Sequence, residues 1–169
     1  MKKAEAEAIS KKYSRAIKCA LGLNDWNITV NFRKCGLDED RSSGTEFDGQ
    51  CAADERYKFA TITINHKSHA TVEDLLDTII HEHIHILHAV FGLFRSAVSH
   101  AGPTHNDPHW LACIDVWMYC SEQFVARIED MIKFGMGFRT SQEFADSALA
   151  RYESTWGLGH GGRTLERVD

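Results

Sequence analysis

The chain has 169 residues, of which 43% are hydrophobic and 25% charged, and this length suits one domain with its own core. The net charge of −5 excludes a general electrostatic attraction to nucleic acid, and no apolar run approaches the roughly 20 residues that cross a bilayer. The five cysteines are never spaced as CxxC and the charged first residues lack the apolar centre of a secretory signal, so we expect a cytoplasmic protein with reduced thiols and no membrane association.

The first half of the chain predicts one helix and then three strands. Mixed three- and four-residue spacing of apolar side chains predicts an amphipathic helix over residues 3–21, which ends near Gly22. The sequence "DWNITVNF" alternates apolar and polar residues and predicts a strand at 26–32. After a polar surface loop, "QCAADERY" and "KFATITIN" predict two strands joined by a tight turn near residues 56–58. The last strand should place Phe59, Thr61, Thr63 and Asn65 on one face and Ala60, Ile62 and Ile64 on the other.

The second half of the chain predicts helices. Thr71 and Asp74 resemble the cap of a long helix with an apolar stripe, and Asp107 followed by Pro108 resembles the start of a third helix that runs to about Lys133. The sequence "SQEFADSALARYES" suggests a further short helix, and the polar last dozen residues suggest a mobile tail. We therefore predict an α+β fold, with a domain at residues 1–138 and a C-terminal helical extension and tail at 139–169.

The second helix contains "IIHEHIHILHAVFG", in which four histidines fall within eight residues. His81 and His85 lie one turn apart on the same helix face, so both can reach one metal ion, and Glu82 completes the HExxH pattern as a general base. His83 points roughly opposite and should be structural. His88 lies about 10 Å along the helix axis from His81, which is too far for a shared ion, so we expect it to make a supporting contact on the same face.

A catalytic zinc site usually has three protein ligands and an open position, so a third ligand must come from elsewhere. The downstream sequence "SHAGPTHNDPHWLACIDVW" offers several candidates. His105 is preferred because it lies just ahead of the predicted third helix, where the backbone can aim its imidazole at the second helix. The alternatives are His109, in the first turn of that helix, and then His100, Asp115 and Glu122.

The order of elements, with "WNITVNF", "KFATITIN", "TVEDLLDTIIHEHIH" and "HNDPHW", resembles the SprT-like zinc metallopeptidases over about residues 5–130. The chain differs from that family at Asn106, where glycine is common, and in placing Trp110 five residues after His105. The resemblance implies a zincin-like minidomain, in which a small antiparallel or mixed sheet packs on the HExxH helix and flanking helices. It also implies zinc ligation by His81, His85 and His105, with Glu82 as general base. Association with DNA is implied by this resemblance alone.

These observations together predict a zinc-dependent metallopeptidase that hydrolyses a polypeptide substrate with a metal-activated water. One alternative is a metal-stabilised binding or regulatory domain without useful turnover, which a site closed by four protein ligands would favour. Another is a zinc hydrolase that acts on a small amide. The sequence does not identify the physiological substrate.

Overall fold

The computed structural model describes residues 1–33, 48–90, 123–132 and 135–156, and for residues 88–90 the description covers the backbone only. In this part of the chain, four helices and a three-stranded sheet form an α+β fold, which confirms the predicted class. The elements in chain order are α1 (Lys3–Ala20), β1 (Asn27–Arg33), β2 (Gly49–Asp54), β3 (Phe59–Asn65), α2 (Val72–Val90), α3 (described at 123–132) and α4 (Ser141–Trp156).

The sheet is mixed, with β3 at its centre and strand order β1-β3-β2. β1 runs parallel to β3, with Val30 opposite Ile62, whereas β2 runs antiparallel to β3, with Cys51 opposite the same residue. The tight turn between β2 and β3 begins at Asp54, whose carboxylate accepts hydrogen bonds from the backbone N–H groups of Arg56 and Tyr57 at 2.9 and 3.2 Å. The three predicted strands are therefore confirmed, with shifts of one to three residues at their ends.

The core lies where α2 and α1 meet the sheet, and α4 packs against these two helices. Ala60, Ile62 and Ile64 share one face of β3, as predicted, and the structure buries all three completely. They belong to one cluster with apolar side chains of α2 and α1, among them Leu75, Leu76, Ile79, Ile80 and Ile17. Burial of each large aliphatic side chain contributes about 1.5–3 kcal/mol to folding, which makes this cluster the main support of α2.

The start of α2 is fixed by the predicted cap. The Thr71 N–H donates to Asp74 Oδ2 at 3.0 Å, and the Asp74 N–H donates to Thr71 Oγ1 at 3.1 Å. This reciprocal pair satisfies the backbone N–H groups of Thr71 and Asp74 at the helix start. The hydrogen bonds from Thr71 also lower the pKa of Asp74 below its usual value. Because the first turn is set here, the face on which the later histidines lie is set as well.

The C-terminal helix α4 is held by two acidic side chains of α2. The Glu73 carboxylate accepts hydrogen bonds from the backbone N–H groups of Ser141 and Gln142 at 2.7 and 2.8 Å, and the Ser141 hydroxyl donates to Asp77 at 2.6 Å. Phe144 and Ala145 of α4 belong to the same core cluster as α2. The predicted helix in this region is confirmed, whereas the division at residues 138 and 139 stays a prediction.

Several further predictions concern the chain as a whole. Within the described ranges, no helix has both the length and the apolar character needed to cross a membrane. Cys19 and Cys51 are free thiols, as predicted, and the other three cysteines lie outside the described residues. The predicted start of α3 at Asp107 and the predicted tail also lie outside them, and the cytoplasmic location stays a prediction.

Candidate metal centre

Two histidines of α2 turn their ring nitrogens toward each other. His81 Nε2 and His85 Nε2 lie 3.2 Å apart, and the two rings are inclined at 75° with centroids 4.9 Å apart. Zinc binds imidazole nitrogen at about 2.0–2.1 Å, so two ligands of a tetrahedral ion stand about 3.3 Å from each other. The observed separation therefore fits two nitrogens that share one ion without a change in the helix.

Glu82 completes the cluster from the next position on the helix. It is 4% exposed, and one of its carboxylate oxygens and the ligand nitrogens of His81 and His85 all lie within 4.8 Å of one another. In the part of the chain that the structure describes, these three residues form the group able to hold a metal ion. Two imidazoles beside a carboxylate suit zinc well, because zinc accepts both nitrogen and oxygen donors and imposes no strict geometry.

The backbone of β2 passes directly over Glu82. A Cβ atom placed on Gly49 would lie 2.6 Å from Glu82 Oε1 and 2.7 Å from Thr78 Cγ2, closer than real Cβ contacts allow. Glycine is therefore required at this position by the close approach of the strand to the helix. The sequence showed only a glycine at the start of a strand, and it gave no sign that the residue touches the candidate base.

The Cys51 thiol of β2 is also close enough to Glu82 for the carboxylate charge to change the pKa of the thiol. Burial, together with the negative charge of Glu82, raises the pKa of Cys51 to about 12. A thiol with this pKa is protonated and neutral near pH 7 in the metal-free protein. Cys51 thus lines the centre as an uncharged side chain and is outside the group of potential ligands.

A second carboxylate reaches the centre from α3. Glu129 Oε2 lies 3.2 Å from His81 Nδ1, and the side chains of Glu129 and His81 are 10% and 25% exposed. The sequence analysis missed this residue, because one glutamate among several on a predicted helix has no distinguishing pattern. The packing of α3 against α2, which brings together residues 48 positions apart, is what identifies it.

His83 has the structural role that the sequence predicted. It is 1% exposed, and its Nδ1 donates to the backbone oxygen of Ile79 at 2.7 Å. Burial lowers the pKa of His83 to about 4, so its imidazole is neutral near pH 7. The predicted role of the His88 side chain lies outside the described residues, as do the third-ligand candidates His105, His109, His100, Asp115 and Glu122.

Comparison with protein-family models, curated proteins and solved structures finds no significant match for this chain. The resemblance to SprT-like metallopeptidases accordingly stays a prediction.

Proposed function

We propose that the chain is a zinc-dependent metallopeptidase with a zincin-like catalytic domain of the SprT type. The observation that carries the proposal is the separation of 3.2 Å between His81 Nε2 and His85 Nε2, next to a buried Glu82 carboxylate. Two convergent imidazoles support metal binding, and the adjacent carboxylate would supply a proton acceptor that a purely structural site does not need. Together they support hydrolysis over simple metal storage.

The reaction needs an acid–base group and a means of charge stabilisation. His81 and His85 would hold the zinc ion, which when bound would supply Lewis acidity to lower the pKa of water toward about 7 and to polarise a carbonyl group. Glu82 accepts the proton from the attacking water and then donates it to the leaving amine, so the proton lost by the nucleophile is returned to the product. The peptide C–N bond breaks, water supplies the new C–O bond, and no covalent enzyme intermediate is required.

The proposed ligand set is His81, His85 and His105, with the remaining position open. His105 is the proposed third ligand because it lies just ahead of the predicted helix start at Asp107, and His109 is its principal alternative. Replacing His105 by Ala should weaken zinc binding as strongly as loss of His85 does. His109→Ala should leave zinc binding largely intact, and the reverse order in a chelator competition assay would assign the ligand to His109.

The strand β2 is the proposed binding edge for an extended substrate. It is an outer strand of the described sheet, it pairs with β3 on one side, and Gly49 brings its backbone against Glu82. An extended peptide that adds to the outer side of β2 would gain main-chain hydrogen bonds and pass close to the general base. This arrangement favours a polypeptide substrate over a small amide.

The decisive experiment measures zinc content and proteolysis in the same preparations. We expect about one zinc per chain in the wild type and little in a His81→Ala, His85→Ala double variant. Glu82→Gln should retain zinc and the fold but lose about 10²- to 10⁴-fold in casein cleavage, because the amide cannot accept the proton. Glu153→Gln, a change at an exposed glutamate of α4, is the matched control and should behave as the wild type.

Each assay is run with and without DNA, so that the association implied by the family resemblance is tested in parallel. Equal cleavage by the wild type and Glu82→Gln, with zinc present in both, would refute the mechanism. Full zinc occupancy in the double histidine variant would refute the site. Zinc binding with a closed, four-ligand coordination sphere in an X-ray absorption spectrum would favour the binding-domain alternative.

A further inference from the structure

The Glu129 carboxylate of α3 lies against His81, the first histidine of the HExxH pattern. We infer that Glu129 is a positioning residue, which holds His81 in the tautomer that carries its proton on Nδ1 and leaves Nε2 free to bind the metal. The inference deepens the proposed function and rests on it for the identity of the ion. The hydrogen bond itself does not depend on that function.

The contact dictates which ring nitrogen carries the proton. An ionised carboxylate only accepts hydrogen bonds, so His81 Nδ1, at 3.2 Å from Glu129 Oε2, must be the donor. In a neutral imidazole the other nitrogen then has a lone pair, and that nitrogen is the one that faces His85. A carboxylate behind a metal-binding histidine also fixes the ring orientation and raises the basicity of the ligand.

Glu129 acts from behind the ring and is not itself part of the ligand group. Its carboxylate contacts His81 Nδ1, whereas the nitrogen of His81 that lies 3.2 Å from His85 Nε2 is Nε2, on the other side of the ring. The group of potential ligands accordingly contains His81, Glu82 and His85 without Glu129. Loss of a group in this position typically costs about 10- to 100-fold in metal affinity, which is less than loss of a ligand.

The burial of Glu129 supports a specific role over a general surface charge. Glu129 as a whole residue is 7% exposed, whereas its neighbour Asp130 is exposed to solvent. Burial of a carboxylate costs free energy unless the group is hydrogen-bonded. The hydrogen bond from His81 Nδ1 therefore offsets part of the cost of burying Glu129. Asp130 has the same charge on the same helix, and it therefore provides a matched control.

The test uses the full chain with Glu129→Gln, Glu129→Asp and Asp130→Asn. Nitrogen-15 NMR of the histidine side chains at pH 8, in metal-free protein, reports the tautomer of His81 directly. We expect the wild type and Asp130→Asn to hold the proton on Nδ1. Glu129→Gln should lose this preference, because an amide can donate as well as accept a hydrogen bond.

Zinc affinity, measured by chelator competition, is the second readout. We expect Glu129→Gln to bind zinc about 10- to 100-fold more weakly and Glu129→Asp to recover part of that loss, since it retains the carboxylate. Thermal unfolding of each variant shows whether the fold is retained, and Glu129→Asp keeps the test valid if Glu129→Gln is unstable. Asp130→Asn should leave the affinity unchanged.

Two results would overturn the inference. An unchanged His81 tautomer in folded Glu129→Gln would remove the proposed positioning role, whatever the zinc affinity. A loss of zinc in Glu129→Gln as complete as that in His85→Ala would make Glu129 a ligand instead. If the wild type bound no zinc, the proposed function would fail, and the NMR measurement on metal-free protein would still decide whether Glu129 sets the His81 tautomer.

Discussion

Glu82 projects from α2 toward β2, and the close approach of β2 leaves its carboxylate little room to move. The restriction comes from Gly49, where the backbone of β2 approaches within contact distance of Glu82 Oε1. A general base is effective only when its geometry is held closely, and a displacement of about 1 Å can lower the rate about 10²-fold. The glycine is therefore as relevant to the proposed catalysis as the ligands are.

Gly49→Ala should separate the position of Glu82 from metal binding. A methyl group 2.6 Å from Glu82 Oε1 forces the strand or the carboxylate to shift, with a cost of about 1–3 kcal/mol in stability. We expect casein cleavage to fall at least about 10-fold while zinc affinity changes by only a few-fold. The neighbouring exposed position supplies the control, Gln50→Ala. Undiminished cleavage by Gly49→Ala would show that Glu82 is not constrained by β2.

The residues of the centre differ in how far the sequence could predict them. His81, Glu82 and His85 were predictable because a single helix determines their relative positions through its periodicity. Gly49 and Glu129 reach the same place from β2 and α3, and their contacts depend on how those elements pack. No spacing along the chain encodes such packing, so one sequence alone could not single them out.

At the scale of elements, α2 supports both the metal centre and the C-terminal helix. Glu73 and Asp77 lie one turn apart and hold the start of α4, while His81 and His85 continue along the same helix. The N-terminus of α4 has backbone N–H groups without partners inside the helix, and the Glu73 carboxylate satisfies two of them. Negative charge at this end is also favoured by the helix dipole.

Replacement of Glu73 should weaken the attachment of α4. Glu73→Ala removes both hydrogen bonds to the backbone of α4, and loss of a helix cap typically costs about 0.5–2 kcal/mol. We expect a loss of that size in the free energy of unfolding, measured by urea denaturation. Glu153→Ala, at an exposed position near the other end of α4, should change stability much less. Equal stability of the two variants would contradict the proposed role of Glu73.

Most elements were predictable, although their contacts were not. The alternation of Ala60, Ile62 and Ile64 indicated β3 and the face that they share, and the cap at Thr71 and Asp74 indicated the start of α2. These signals are local, since each depends on residues within a few positions of one another. The capping of α4 by Glu73 joins residues 68 positions apart, and no local signal predicted it.

At the scale of the whole molecule, the predicted α+β class is confirmed, but the sheet order became known only from the structure. A short turn made the pairing of β2 with β3 predictable as a hairpin. The parallel pairing of β1 with β3 leaves β1 and β2 on opposite sides of the central strand. The strand order depends on the long connection between β1 and β2. The periodicity of the strands does not predict that order, because it reports only which residues share a face.

The mixed sheet also implies an order in which the molecule assembles. The β2–β3 ladder closes from its turn, where Asp54 pairs with Phe59, whereas every β1–β3 pair joins residues 32 positions apart. Because the entropic cost of loop closure grows with the number of residues enclosed, we expect the hairpin and α2 to form before β1 docks. Pulsed hydrogen exchange during refolding should show protection of β2 amides ahead of β1 amides, and simultaneous protection would argue against this order. The segment that contains Gly49, His81, Glu82 and His85 would then gain its structure early, and the contact from Glu129, which joins residues 48 positions apart, would be added later.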